Sequence, residues 1–237
     1  MSVFVDWLKQ GRSPVTVKRY LEILKALDKT AFADFKVKIP AKPMPKPFSK
    51  AEVDAILQTM KANKYYSHYH DFTAFLFSTG VRTSEAIGLQ WKHVDLVRGE
   101  IDIYESLGRH RGSSSNRERR STKTNNARVL PCRGRLAKML SDRKPKDANP
   151  EDLVFTSPTG KHIDDHLYSQ RCWRKTLELA GVEYRNPYKT RHTFISHCLE
   201  AGIKPITVAY LVGHADTSMI FTRYAGVINK PDLPELF

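Results

Sequence analysis

Apolar residues recur at helical spacing over most of this chain and alternate only in its middle. Val17, Tyr20, Leu21, Leu24 and Leu27 form one stripe of a helix that Ser13 can cap and Pro14 can start, with Lys18, Arg19 and Lys25 at or beyond the stripe's edges. Ser49-Lys-Ala-Glu52 reads as a capping box, and the helix it opens turns Val53, Ile56, Leu57 and Met60 inward. An aromatic-rich helix is expected from His68 to Ser78, stopping at Gly80, and Thr83 is a candidate cap for a short helix from Ser84 to Leu89. Further helices are expected over Asp164–Leu179, Pro187–Glu200 and Pro205–Val212, with Gly181, Gly202 and Gly213 as their stops.

The middle has a period of two. Glu100-Ile-Asp-Ile-Tyr-Glu105 alternates like a strand, Ala127-Arg-Val-Leu130 is its candidate partner, and Leu153-Val-Phe155 is a third apolar run ending in a turn. Between the two strands lies a polar loop holding Arg109, Arg111, Arg117, Arg119, Arg120 and Lys123, the densest basic cluster in the chain. The expected class is α+β, mainly helical, with a small antiparallel sheet.

Composition divides the chain further. Lys36-Val-Lys-Ile-Pro-Ala-Lys-Pro-Met-Pro-Lys-Pro47 alternates basic and proline residues, which removes backbone donors and favours an extended linker. The divisions expected are a short helical segment over 1–40, a Lys/Pro linker over 41–48, the main domain over 49–226 and a tail over 227–237. A segment of about forty residues buries little core by itself.

Charge narrows the partner. Lys and Arg number 39 against 25 Asp and Glu, a formal net charge of +14, which favours a polyanion over a neutral ligand. No stretch reaches the roughly 18 apolar residues of a spanning helix, and Met1-Ser-Val-Phe-Val-Asp6-Trp is not a signal peptide, so a soluble cytoplasmic protein is expected, without membrane partners. Cys132, Cys172 and Cys198 read as reduced packing residues. His162 and His166 stand four apart, yet Ile163 occupies the place of a zinc protease's Glu, and Thr159-Gly160-Lys161 lacks the rest of a nucleotide-binding loop. Neither a metal nor a nucleotide cofactor is expected.

The candidate chemistry lies late in the chain. Tyr188-Lys-Thr-Arg191-His192, Gly213-His214 and Arg223-Tyr224 place a guanidinium, imidazoles and phenols together, with Arg82 upstream in Thr79-Gly-Val-Arg82-Thr-Ser-Glu85. Displacement at a phosphodiester needs an aligned nucleophile, fixed positive donors for the non-bridging oxygens and a proton for the leaving oxygen. Arg82 and Arg191 suit the donors, because a planar guanidinium binds two phosphate oxygens and stays charged. Tyr224 suits the nucleophile, since a covalent phosphotyrosine conserves the bond energy and allows rejoining without ATP. His192, in the body of a helix, is expected to be structural. A simple surface pair with Glu85 is the competing account of Arg82.

Taken in order, Gly80-Val-Arg82-Thr-Ser-Glu85, Thr122-Lys123-Thr124, Arg191-His192-Thr-Phe194, Leu211-Val-Gly213-His214 and Arg223-Tyr224 resemble the tyrosine recombinase or phage integrase family over residues of about 48 to 226. The resemblance implies the family's catalytic fold. It implies that Arg82 and Arg191 clamp the scissile phosphate, that Lys123 protonates the leaving 5′ oxygen, and that His214 hydrogen-bonds the phosphate or assists proton transfer. Tyr224 would become linked to the 3′ phosphate. It further implies double-stranded DNA as partner, a homo-tetramer joining two duplexes through a Holliday junction, an accessory DNA-bending protein, and no metal or nucleotide cofactor.

Three features depart from the family pattern. Tyr188 stands where the family has a histidine, and its phenol donates a hydrogen bond but is a poor base, so it is expected to position the phosphate. His214 and Tyr224 are ten residues apart where nine is commoner. The segment before the linker resembles only the last helix of a core-binding DNA domain, a remnant or shortened form of it. Residues 1 to 47 are expected to contribute DNA affinity through Lys18, Arg19 and the Lys/Pro linker, and Arg109, Arg111, Arg117, Arg119 and Arg120 are expected to track the DNA backbone. Besides an active recombinase, two alternatives stand: a DNA-binding relative that cuts poorly, and a relaxing enzyme of the type IB topoisomerase kind.

Overall fold

The computed structural model describes residues 2–40, 46–110, 113–121, 127–224 and 226. The chain forms two compact units, Met1–Met44 and Pro45–Phe237.

In the first unit, helices α1 (Ser2–Lys9) and α2 (Pro14–Leu27) pack through Val5, Leu8, Val17 and Leu21. Ser13 caps α2, its hydroxyl accepting from Thr16 N at 3.2 Å. The expected stripe is only half used: Tyr20 is 43% and Leu27 80% exposed. Two helices share one seam, so only the residues facing that seam are covered. Helix α1 was not apparent from the pattern of the sequence.

The second unit begins with α3 (Lys50–Ala62), where Ser49 and Glu52 exchange the two hydrogen bonds of the expected capping box. A 3₁₀ turn (Ser67–Tyr69) leads into α4 (His70–Thr79), and α5 (Thr83–Gly88) follows. The cap of α5 is Arg82 and not Thr83, because the Glu85 carboxylate reaches back to accept from Arg82 N at 2.8 Å. The strands are β1 (Val94–Asp95), β2 (Glu100–Ile103), β3 (Glu105–His110), β4 (Ser113–Ser121) and β5 (Arg128–Pro131). They make a three-stranded antiparallel sheet in the order β1-β2-β5 and a separate β3-β4 hairpin. Register sets Ile101 opposite Leu130 and Ile103 opposite Arg128.

The basic loop expected between the strands is therefore largely the β3-β4 hairpin. Its sequence alternates no apolar residues, so a strand was not legible there; its hydrogen bonds come from pairing with β3 and its support from α5. A Cβ at Gly88 would lie 2.7 Å from Leu107 N, so that approach requires glycine. Leu153 makes one isolated bridge to Gln90 and is not in a strand.

The remaining helices are α6 (Gly134–Arg143), α7 (Asp165–Leu167), which continues through a π segment (Tyr168–Trp173) into α8 (Arg174–Leu179), α9 (Lys189–Glu200), α10 (Pro205–Val212) and α11 (Ser218–Tyr224). One apolar core joins α3, α4, the three-stranded sheet and the α7–α8 helix around Phe72, Phe75, Ile101 and Trp173. A smaller one joins α9, α10 and α11 through Ile195, Leu199, Val208, Val212, Ile220 and Tyr224. Phe48 N donates to Thr193 Oγ1 at 2.9 Å and ties the start of the unit to α9.

His162 lies in a bridge to Thr156 while His166 lies in α7, so the pair shares no helix face. Among the described residues no three His, Cys, Asp or Glu side chains converge as metal ligands, and no helix is long and apolar enough to cross a membrane.

Candidate active site

Two helix ends build the site. Helices α4 and α10 each stop at a glycine in the left-handed region, Gly80 at φ 61° and Gly213 at φ 67°. A helix C-terminus leaves carbonyls unpaired and carries partial negative charge, which suits a guanidinium. Gly80 O accepts from Arg191 Nη1 at 2.7 Å, and Gly213 O accepts from Arg82 Nη2 at 3.2 Å. Side chains are excluded at both turns: a Cβ at Gly80 would lie 2.4 Å from the Phe194 ring, and one at Gly213 2.8 Å from Arg128 Nη1. The two glycines thus aim two arginines from opposite sides of the chain's order.

Beneath Arg82 lies a buried carboxylate. Glu85, 2% exposed, accepts from Arg82 Nη1 at 2.9 Å and from Arg128 Nη2 at 2.7 Å, and Arg128 Nε donates to Leu211 O at 2.8 Å. Burial alone would raise the Glu85 carboxyl; the Arg128 and Arg82 guanidiniums outweigh it and hold the group below the ordinary carboxylate range. The Arg82–Glu85 contact is therefore no surface pair. It fixes Arg82 by one end and leaves its side chain 40% exposed. Arg128, 3% exposed, links the sheet to the turn at Gly213.

Arg191 differs. It is 1% exposed, and its Nε and Nη2 have no hydrogen-bond partner among the described residues. Burial lowers the guanidinium to about 10, with Tyr188 opposing and Arg82 reinforcing, so it remains charged at neutral pH. His214 faces the same charges. Burial first, then Arg191 and Arg82, pull its imidazole down to about 4, and its buried Nδ1 also lacks a described partner. A buried cation with two unmatched donors beside a neutral imidazole is a place for an anion.

Tyr224 closes α11 and is 1% exposed, its ring part of the small apolar core. Its hydroxyl is hydrogen-bonded to His192 Nδ1. Burial pushes the phenol above its ordinary value, Tyr188 adds to the rise, and Arg191 and Arg223 oppose it. Burial and then the charges of Lys189, Arg223 and Arg191 lower His192 to about 4. Its place against the Tyr224 hydroxyl, 32 residues away in sequence, goes beyond the structural part expected of it. Tyr188, 47% exposed, stacks edge-on against the His192 ring at 5.3 Å, and a cavity of ≈ 250 Å³ opens beside it, lined by Thr83, Arg109, Asn186 and Pro187. The larger cavity, ≈ 880 Å³ around Trp91, Arg143 and Leu153, shares no residue with this site.

The structure thus gathers Arg82, Tyr188, Arg191, His214 and Tyr224. Lys123 and Arg111 lie outside the described residues; Lys123 falls between the end of β4 at Ser121 and Arg128. The described hairpin arginines are matched by acids. Arg109 donates to Asp165 at 2.7 Å, Arg119 to Glu105 at 2.8 Å and Arg120 to Glu118 at 2.7 Å. Arg117 is a correction to the expected backbone-tracking surface. Its side chain is 2% exposed, bonded to Asp165 and donating to Leu107 O at 3.0 Å, so it holds the hairpin instead of facing solvent. In the first unit Lys18 and Arg19 are exposed, Lys18 lying 3.8 Å from Glu22.

Residues 46–230 match the family model described as the phage integrase family. The chain is 26% identical over 258 aligned positions to a tyrosine recombinase XerC-like protein of Caldanaerobacter subterraneus subsp. tengcongensis, covering 94% of this chain and 65% of that one. It is 28% identical over 192 positions to the tyrosine recombinase XerC of Staphylococcus epidermidis, covering 79% of this chain and 59% of that one. It therefore spans about three fifths of the length of these relatives. Among solved structures, the Tn1549 transposon integrase in complex with transposon right end DNA superposes with a TM-score of 0.77 at 22% identity, over 93% of this chain and 79% of that one.

Proposed function

The chain belongs to the phage integrase family, and from that membership we propose that it is a site-specific DNA recombinase working through a 3′-phosphotyrosine. The observation that carries this reading is Arg191: a buried guanidinium whose Nε and Nη2 are unmatched among the described residues, within the electrostatic reach of the Arg82 charge and of the Tyr224 phenol. A scissile phosphate seated there receives those donors and the Arg82 fork, and His214 Nδ1 supplies a further contact. The Tyr224 hydroxyl gives up its proton as its oxygen attacks phosphorus, the P–O5′ bond breaks and the 5′ oxygen leaves with a proton from Lys123, and rejoining reverses these transfers. Tyr188, at the mouth of the site, positions the phosphate.

The same reading carries its assembly: DNA duplexes as substrate, four copies of this chain on two of them, an accessory DNA-bending protein, and a cytoplasmic setting. Incubation with duplexes carrying a nick beside candidate sites tests it. A covalent protein–DNA complex is expected from the natural chain and none from Tyr224→Phe. Tight DNA binding without any covalent product would move the chain to the class of binding relatives, and relaxation of supercoils without strand exchange to the topoisomerase class.

A further inference from the structure

We propose that His192 is the base that takes the Tyr224 proton during strand cleavage, an inference that rests on the cleavage reading above. Among the described residues, the group hydrogen-bonded to the Tyr224 hydroxyl is His192 Nδ1. Both partners are held rigidly. Tyr224 is 1% and His192 9% exposed, their rings are 5.8 Å apart at 40°, and Tyr188 packs edge-on against the imidazole at 5.3 Å. Tyr188 is the N-cap of α9 and stands four residues before His192, so the two share a face.

Surrounding charge keeps this imidazole neutral. Lys189 and Arg191 on its own helix, Arg223 on α11 and His214 after α10 all disfavour a second proton on the ring, and burial does so most of all. A neutral imidazole protonated on Nε2 presents its Nδ1 lone pair to the phenol. When the phosphodiester enters, its negative charge offsets those cations and raises the ring's proton affinity at the step that needs it. In that step the Tyr224 O–H bond breaks, the proton passes to Nδ1, and the oxygen's electron pair forms the bond to phosphorus. The P–O5′ bond breaks with its pair on the 5′ oxygen, which takes a proton from the leaving-group acid. Rejoining returns the Nδ1 proton to the tyrosyl oxygen.

Single-turnover cleavage of nicked duplexes by the full chain tests the role. His192→Asn keeps an amide oxygen near the Nδ1 position, able to accept the phenol's hydrogen bond but not its proton. It is expected to cleave about 10²-fold or more slowly than the natural chain, with DNA affinity changed by no more than about twofold. On a substrate whose 5′ bridging oxygen is sulfur, which leaves without a proton, the His192→Asn defect should persist while a Lys123→Ala defect disappears. Cleavage by His192→Asn within about threefold of the natural rate, or a defect cured by the sulfur substrate, overturns the assignment. Should His192→Asn melt below the assay temperature, the natural chain with fluorinated tyrosine at 224 decides. An acid limb of the pH–rate profile unmoved by fluorination supports a histidine base, and a limb that follows the phenol overturns it. Absence of any covalent complex in the natural chain would instead sink the cleavage reading, and this inference with it.

Discussion

The arginines of the phosphate pocket and those of the β3-β4 hairpin carry the same charge and are held in opposite ways. Arg191 is 1% exposed with two donors unmatched among the described residues, whereas the described hairpin arginines are matched with carboxylates, Arg120 with Glu118 and Arg119 with Glu105 among them. Density of positive charge in the sequence points to the hairpin, yet the unmet hydrogen-bonding capacity lies in the pocket. An unmatched buried cation is costly in the free protein and becomes favourable only when an anion arrives, so it marks a site more sharply than a cluster of charges does.

The largest expected effect lies at the pocket. Arg191→Ala should slow covalent complex formation by about 10³- to 10⁵-fold, as loss of a guanidinium that stabilises phosphoryl transfer does elsewhere. Arg191→Lys should recover little of it, because an ammonium cannot span two phosphate oxygens from the Gly80-anchored position. Arg120→Ala in the same assay should stay close to the natural rate. Equal losses at Arg191 and Arg120 would remove the distinction drawn between the two regions.

The second effect is on stability and concerns the carboxylate beneath Arg82. Arg128→Met removes the main partner of Glu85, which is only 2% exposed, and should cost about 3–5 kcal/mol in denaturant unfolding, the scale for breaking a buried pair. Arg191→Met removes a cation without orphaning any acid, leaves only Gly80 O without its donor, and should cost less than Arg128→Met in the same measurement. A larger loss from Arg191→Met than from Arg128→Met would contradict the assignment of Arg128 to structure and Arg191 to ligand.

The third effect is on acid stability. His192 and His214 fall from an ordinary 6.5 to about 4 in the folded chain, burial being the main cause of both. The unfolded chain therefore binds more protons in this window, and stability is full above pH 6.5 and declines as pH falls towards 4. His214→Gln should flatten the dependence of the melting temperature on pH across that window, and a slope unchanged by the substitution would show that His214 is not held neutral. Substituting Arg120 should leave that slope as it is.

Much of this arrangement was legible in the residue order because it is local. Ser49 and Glu52 meet within one turn, and Gly80 and Gly213 end their helices as glycines with positive φ do. What escaped the sequence depends on partners far along the chain. Arg128 meets Glu85 across 43 residues and Leu211 across 83, and His192 meets Tyr224 across 32. Periodicity reports which face of an element is apolar but not which element faces it. The polar run Ser113–Ser121 shows no alternation, so its strand character and the burial of Arg117 arise from the hairpin partner and from Asp165.

The smallest effect returns to the hairpin. Arg120 and Glu118 form an ion pair with side chains 41% and 51% exposed, so Arg120→Ala should change stability by less than about 1 kcal/mol. If Arg120 also meets the DNA backbone, it must first leave Glu118, and the gain in binding is the difference between a phosphate contact and a solvated ion pair. Its substitution should then lower the slope of log affinity against log salt by about one unit without altering which sequence is preferred. Glu118→Gln should act in the opposite sense, freeing Arg120 and strengthening binding at low salt. If both substitutions leave the salt slope unchanged, the described hairpin arginines serve the hairpin alone, and the DNA contact of this unit rests on the pocket and on residues outside the hairpin.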